Sequence, residues 1–214
     1  MIGILGVNPA ADVVLQIVKE QFPGFEPVFI DDDPAKLNQT LKGIPVRYNT
    51  QTWEEKIKQG EDLMMVISLG SKFLNKRKET FHKLSKYRNL SFPQIVHKSC
   101  HISELAVVNA GNILNFGVII GHNTILESNS IFWGGVVIEH DCQIGESCYI
   151  APNATLSGFV KINNCTMIGS GATILPDLEI GKNCIIGGGS VVTKNVPDNS
   201  VVYGNPAKVI RPNN

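Results

Sequence analysis

Several common features are missing from this 214-residue chain, and each absence removes a class of function. No apolar run reaches the roughly 18 residues of a membrane span. The opening Met1-Ile2-Gly3-Ile4-Leu5-Gly6 carries no basic stretch and no cleavage signal, so a soluble, cytoplasmic protein without a membrane partner is expected. Charge is scarce: Asp, Glu, Lys and Arg make up 18% of the residues, below the usual level of about a quarter. The formal net charge is +0, so there is no basic excess to bind nucleic acid. Cysteine is sparse as well, five in all with no CxxC spacing, which argues against a zinc ribbon or a disulfide framework.

What is present is a repeat. Seventeen apolar residues sit six apart without a break, from Val96, Ile102 and Val108 through Ile138, Leu156 and Ile174 to Val192. Neither an α-helix nor a flat strand has that period, whereas a coil that turns a corner every six residues does. Three units make a triangular coil of 18 residues, whose stacked turns pair as parallel strands ~4.8 Å apart. Each coil needs its neighbours to bury its inner face. Cys100, Cys142, Cys148 and Cys184 all fall four residues after a member of the series, in a column of mostly small or β-branched residues. They read as small core fillers.

The first 92 residues have a different texture. Gly3-Ile4-Leu5, Pro27 to Ile30 and Leu63 to Ile67 read as short buried strands. Asp12 to Gln21 and Lys72 to Tyr87 read as helices. Alternating strands and helices imply a small Rossmann-like parallel sheet. The expectation is therefore an α/β domain over residues 1–92 and an all-β parallel β-helix domain over 93–214.

The coil arithmetic selects a candidate site. Residues 18 apart stack on one corner, so Glu104, His122, His140, Gly158, Pro176 and Lys194 form a column. His140 points away from the core, and an imidazole titrates near neutral pH, as a general base must. Asp141 beside it can orient the ring and raise its basicity. Gly158, one coil above, has no side chain and can bring its N–H to a developing oxyanion. His122, one coil below, is assigned a structural or acceptor-side role. Two stacked imidazoles without a third ligand make a poor zinc site, so no metal is expected.

Residues 96–210 resemble the hexapeptide-repeat acyltransferases. The resemblance rests on the repeat, on Val137-Ile138-Glu139-His140-Asp141, on Leu156-Ser157-Gly158, and on the ending Gly187-Gly188-Gly189-Ser190 to Pro197 with Gly204-Asn205-Pro206-Ala207-Lys208. With the α/β domain in front, the whole chain resembles sugar acetyltransferases of the PglD/NeuD type. The resemblance implies a left-handed coil, acetyl-CoA as co-substrate, a homotrimer with sites at its interfaces, and His140, Asp141 and Gly158 as catalytic residues. It implies cofactor contacts at Tyr149, Gly158, Ser170, Gly188 and Lys208, and an acceptor-side position at Trp133. In the first domain it implies a nucleotide held near Asn8, Asp31, Asp32 and Gly70. The turn Gly6-Val7-Asn8-Pro9 departs from the glycine-rich form, because only Gly6 is kept and Pro9 lacks a donor. The leading expectation is N-acetylation of a nucleotide-linked amino-deoxy sugar. O-acetylation of a free sialic-acid-like sugar is the close alternative, and a non-catalytic or metal-binding β-helix is the alternative of another class.

Overall fold

The structure, a computed structural model, describes residues 1–213. Its contacts divide the chain into two units, Met1–Ile95 and Val96–Asn214.

In the first unit, β1 (Ile2–Leu5), β2 (Pro27–Ile30), β3 (Thr40–Leu41), β4 (Ile44–Tyr48), β5 (Leu63–Ile67) and β6 (Leu90–Ser91) form one sheet in the order β3-β4-β2-β1-β5-β6. All pairings are parallel except β3 with β4. The helix α1 (Pro9–Gln21) is started by Asn8, whose side chain accepts from the Ala10 N–H, with Pro9 in the first turn where its missing donor costs nothing. It buries Ala11, Val14, Leu15, Ile17 and Val18. A second helix, α2 (Thr50–Lys58), begins with a capping box between Asn49 and Thr52 and buries Trp53 and Ile57. Gly3 makes room for that indole: a Cβ there would lie 2.5 Å from Ile30 Cδ1 and 2.8 Å from Trp53 Cζ2.

The expected helix over 72–87 is shorter. A 3-10 turn over Ser71–Phe73 precedes α3 (Leu74–Leu84). The Ser85 N–H closes on Phe81 O and the Tyr87 N–H on Leu84 O, so the chain turns away before Tyr87. β4 and α2 were not foreseen. The apolar pattern in α2 reduces to Trp53 and Ile57 among nine residues, too little to stand out as a period.

The second unit is a left-handed parallel β-helix. Two-residue strands recur every six residues from β7 (Ile95–Val96) to β23 (Val191–Val192). Each pairs with the strand 18 residues away, as in Ile119↔Val137 and Val137↔Thr155, which gives three sheets. Leu114, Ile120, Leu126 and their successors up to Ile186 are fully buried. At the open end Val96, Ile102 and Val108 are only partly buried, because no coil lies beneath them.

The column of small residues has a second role besides filling the core. Thr124 Oγ1 donates to Glu139 O (2.7 Å), Cys142 Sγ to Ser157 O (3.2 Å), Cys148 Sγ to Asn163 O (3.3 Å) and Thr166 Oγ1 to Gly181 O (2.7 Å). Hydroxyls and thiols thus satisfy buried corner carbonyls in the same way. Burial pushes the Cys142 thiol up to about 11 and the Cys148 thiol up to about 12. A hairpin of β24 (Ser200–Gly204) and β25 (Ala207–Pro212) closes the top.

Candidate active site

The corner after each strand is built from two residues, the second in the left-handed region. At every sixth position from Gly111 to Gly189 φ is positive. Asp141 holds one of these positions with φ 58°, a conformation a short polar side chain tolerates. The turn swings its carboxylate back onto its neighbour, so that His140 Nδ1 lies 2.9 Å from Asp141 Oδ2. Asn123, one coil below, donates to Asp141 Oδ1 at 3.1 Å. The Asp141 N–H is held by His122 O at 2.9 Å. The hydrogen bond from His140, then that from Asn123, hold the Asp141 carboxyl below the usual carboxylate range. An ionised carboxylate only accepts, so it places the ring proton of neutral His140 on Nδ1 and leaves the Nε2 lone pair free.

Gly158 takes that nitrogen. A Cβ at Gly158 would lie 2.7 Å from His140 Cε1 and 2.8 Å from Nε2, so only glycine admits the ring in this pose. On the other side the His122 ring stacks on His140, centroids 5.3 Å apart and planes 14° from parallel. Phe159 meets the ring edge-on, at 5.2 Å and 89°. The structure thus brings His122, His140, Asp141 and Gly158 together as the 18-residue spacing requires. Asn123 and Phe159 belong to the same corner and were not singled out, although Asn123 lies 18 residues before Asp141.

Among the described residues His122, His140 and Asp141 form the one cluster with metal-ligand character, their ligand atoms within 4.8 Å of one another. Its geometry does not suit an ion. Near-parallel rings send their in-plane lone pairs side by side instead of toward one centre, and both Asp141 oxygens already accept hydrogen bonds.

The other expected residues of this unit lie elsewhere. Trp133 and Tyr149 pack together at 6.1 Å, and burial raises the Tyr149 phenol. Ser170 and Gly188 stack on the corner that follows the same sheet, where Ser170 O accepts from the Gly189 N–H. Lys208 is exposed on β25. In a single chain this group and the His140 corner occupy different corners of the triangle.

The first unit holds a pocket of about 210 Å3 at the ends of β1, β2 and β5, lined by Asn8, Asp31, Asp32 and Gly70 among others. Asp31 is buried and fully engaged: it accepts from the N–H groups of Val7 (2.8 Å) and Asp33 (3.0 Å) and from Lys36 Nζ (3.1 Å). Asp32 accepts from the Thr50 N–H (2.8 Å) and Lys76 Nζ (3.0 Å); burial is the largest single effect on its pKa and raises it, but the bonds from Thr50 and Lys76 together bring it below the ordinary value. Asn8 caps α1 and ties its side chain to Ser68 O. Lys36, Phe73 and Lys76 line the pocket and were not anticipated. They come from segments 40 residues apart, which no local motif joins.

Comparison with known proteins agrees with this fold. The family described as Bacterial transferase hexapeptide (six repeats) matches residues 123–158 and 159–194. A putative acetyltransferase of Saccharomyces cerevisiae is 34% identical over 162 residues, 63% of this chain and 81% of that protein. An acyl-[acyl-carrier-protein]–UDP-N-acetylglucosamine O-acyltransferase of Aliarcobacter butzleri is 32% identical over 122 residues, 57% of this chain. The chain spans only 45% of the length of that relative. The solved structure of PerB from Caulobacter crescentus, in complex with CoA and GDP-perosamine, matches with a TM-score of 0.87 at 26% identity, over 98% of this chain and 97% of that one.

Proposed function

Since the chain belongs to the hexapeptide-repeat acyltransferases, in the group of PglD/NeuD-type sugar acetyltransferases, we propose that it transfers the acetyl group of acetyl-CoA to an amine of a nucleotide-linked amino-deoxy sugar. The observation that carries this reading is the Asp141–His140–Gly158 corner, with Nε2 beside a glycine. His140 Nε2 removes the proton from the attacking amine as nitrogen bonds to the thioester carbonyl carbon. The Nδ1–H bond to Asp141 stabilises the imidazolium that results. The Gly158 N–H, which donates to none of the described residues, is the candidate donor for the oxyanion of the tetrahedral intermediate. When the carbon–sulfur bond breaks, the imidazolium returns its proton to the leaving thiolate.

The donor contacts proposed at Tyr149, Ser170, Gly188 and Lys208 lie away from the His140 corner of the same chain. A coenzyme that touches both sets fits a groove between two coils, which supports a homotrimer. Exposed Leu105, Val107, Phe116 and Ile119 offer apolar surface for such packing. The nucleotide is assigned to the pocket of the first unit. Its acidic pair is already hydrogen-bonded and the N-terminus of α1 is capped by Asn8; Lys36 donates to Asp31 and Val7 O and Lys76 to Asp32, so a phosphate is assigned to the remaining donors of these two ammonium groups.

The filled helix N-terminus is also what favours the second reading, O-acetylation of a free sugar. Both readings are tested by CoA release from acetyl-CoA across UDP-, GDP- and dTDP-linked amino sugars and free sialic acids. Turnover on a nucleotide-linked amino sugar, lowered about 10²–10⁴-fold in His140→Ala, is the expected result. Turnover on free sugars alone would replace it with the second reading, and a fully active His140→Ala would remove His140 as base.

A further inference from the structure

The left-handed corner positions run without interruption from residue 111 to residue 189, fourteen positions six apart. Five hold Gly, four Asn and two Asp, with one Ser and one small Cys. The remaining one is Phe159, with φ 62°. A bulky side chain in that region is an outlier, because its Cβ crowds the following carbonyl. Burial within the chain does not compensate, since Phe159 is 56% exposed there. The outlier stands at the one corner where the neighbouring coil carries His140, and its ring meets that imidazole at 5.2 Å and 89°. Backbone strain kept at this corner, with the His140 ring as its one aromatic contact, points to a task there.

We propose that Phe159 is a positioning residue for His140. The inference rests on the reading of His140 as the base. The His140 side chain is 40% exposed, so its ring would otherwise rotate between rotamers. His122 covers one face, Asp141 holds Nδ1 and Gly158 leaves the space for Nε2. Phe159 supplies the fourth contact and blocks rotation of the ring out toward solvent. Its edge-on geometry is a favoured one between aromatic rings.

The test is Phe159→Asn, which places at this corner a residue that four of the other corners already use. The expected result is a thermal midpoint about 2–4 °C higher, because the strain is relieved, together with turnover about tenfold lower and an unchanged KM for acetyl-CoA. Phe159→Tyr keeps the ring contact and should keep wild-type turnover. Labelling of His140 by diethyl pyrocarbonate, followed by peptide mass spectrometry, reads ring access without any acetyl transfer; it should be faster in Phe159→Asn. A higher midpoint with labelling and turnover unchanged would make Phe159 a tolerated surface residue and overturn the proposal. A lower midpoint would make it a packing residue and overturn it as well. If His140→Ala proves active, the reading of the base fails by itself, while the labelling rates still decide whether Phe159 holds the ring.

Discussion

Gly158 and His140 occupy the same space to within a methyl group. A Cβ on Gly158 would stand 2.7 Å from Cε1 and 2.8 Å from Nε2 of the imidazole. Gly158→Ala therefore has a specific consequence. The atom it meets belongs to a half-exposed side chain, which can swing aside, so the fold should lose less than about 1 kcal/mol. The ring, however, leaves the pose in which Nε2 faces the corner. Turnover should fall about 10²-fold or more, and circular-dichroism melts beside steady-state kinetics would separate the two effects. A variant with wild-type turnover would show that the pose is not needed.

Asn123 reaches His140 through Asp141. Its amide is the second largest cause that holds the Asp141 carboxyl down, after His140 itself. In Asn123→Ala the carboxyl should titrate higher, closer to its ordinary value of 3.8, as followed by carbon NMR of the side-chain carboxylate. The sign is that of a group depressed by folding: its favourable contribution is complete above the ordinary value and is lost as pH falls through the lower folded one. An unmoved titration would leave the Asn123 contact without electrostatic effect.

Glu54 makes a sharper acid prediction in the first unit. It is 8% exposed, and hydrogen bonds from Lys83, Tyr87 and Lys58 bring its pKa from 4.5 down to about 2, with that from Lys83 the largest cause and burial opposing. The stabilisation this provides is present above pH ~4.5 and drains away as pH falls toward about 2. Denaturant melts of wild type and Glu54→Gln should therefore differ most near neutral pH and converge at low pH. Equal stabilities near neutral pH would count against the network.

Thr124 holds two buried backbone groups at once: its hydroxyl donates to Glu139 O and accepts from the Cys142 N–H (3.1 Å). Thr124→Val keeps the shape and leaves both groups without that partner. A loss of about 2 kcal/mol or more is expected in urea unfolding, and a neutral result would mean that water or a backbone shift replaces the hydroxyl.

The thiols in the same column should be inert. With Cys142 near 11 and Cys148 near 12, hardly any thiolate exists at pH 8. A thiol reagent should label these two only after unfolding, and rapid labelling of the native protein would contradict their burial.

Much of this was written in single residues. His140, Asp141, Gly158 and His122 could be brought together from spacing alone, because a coil of fixed length turns sequence distance into spatial distance. Phe159 was overlooked because it obeys the six-residue frame and departs only in conformation, a sign of φ that an apolar pattern does not display. Asp31, Asp32 and Asn8 were identified as binding positions, yet their polar atoms are largely spent on Val7, Lys36, Thr50 and Ala10. Nothing in their local sequence reveals those partners.

By itself the sequence determined the β-helix, its register and the meeting of His122, His140 and Gly158 at one corner, for the reason that each strand from β7 to β23 pairs 18 residues away and a repeat without insertions leaves no other choice. It also determined β1, β2 and β5 from short apolar runs. Only the tertiary structure decided the rest. It added β4 to the sheet, buried Trp53 and Ile57 of α2, and set Lys36 and Lys76 against the two aspartates. Those outcomes depend on crossovers of unequal length and on the direction of individual side chains, which follow from packing across the sheet and not from any period along the chain.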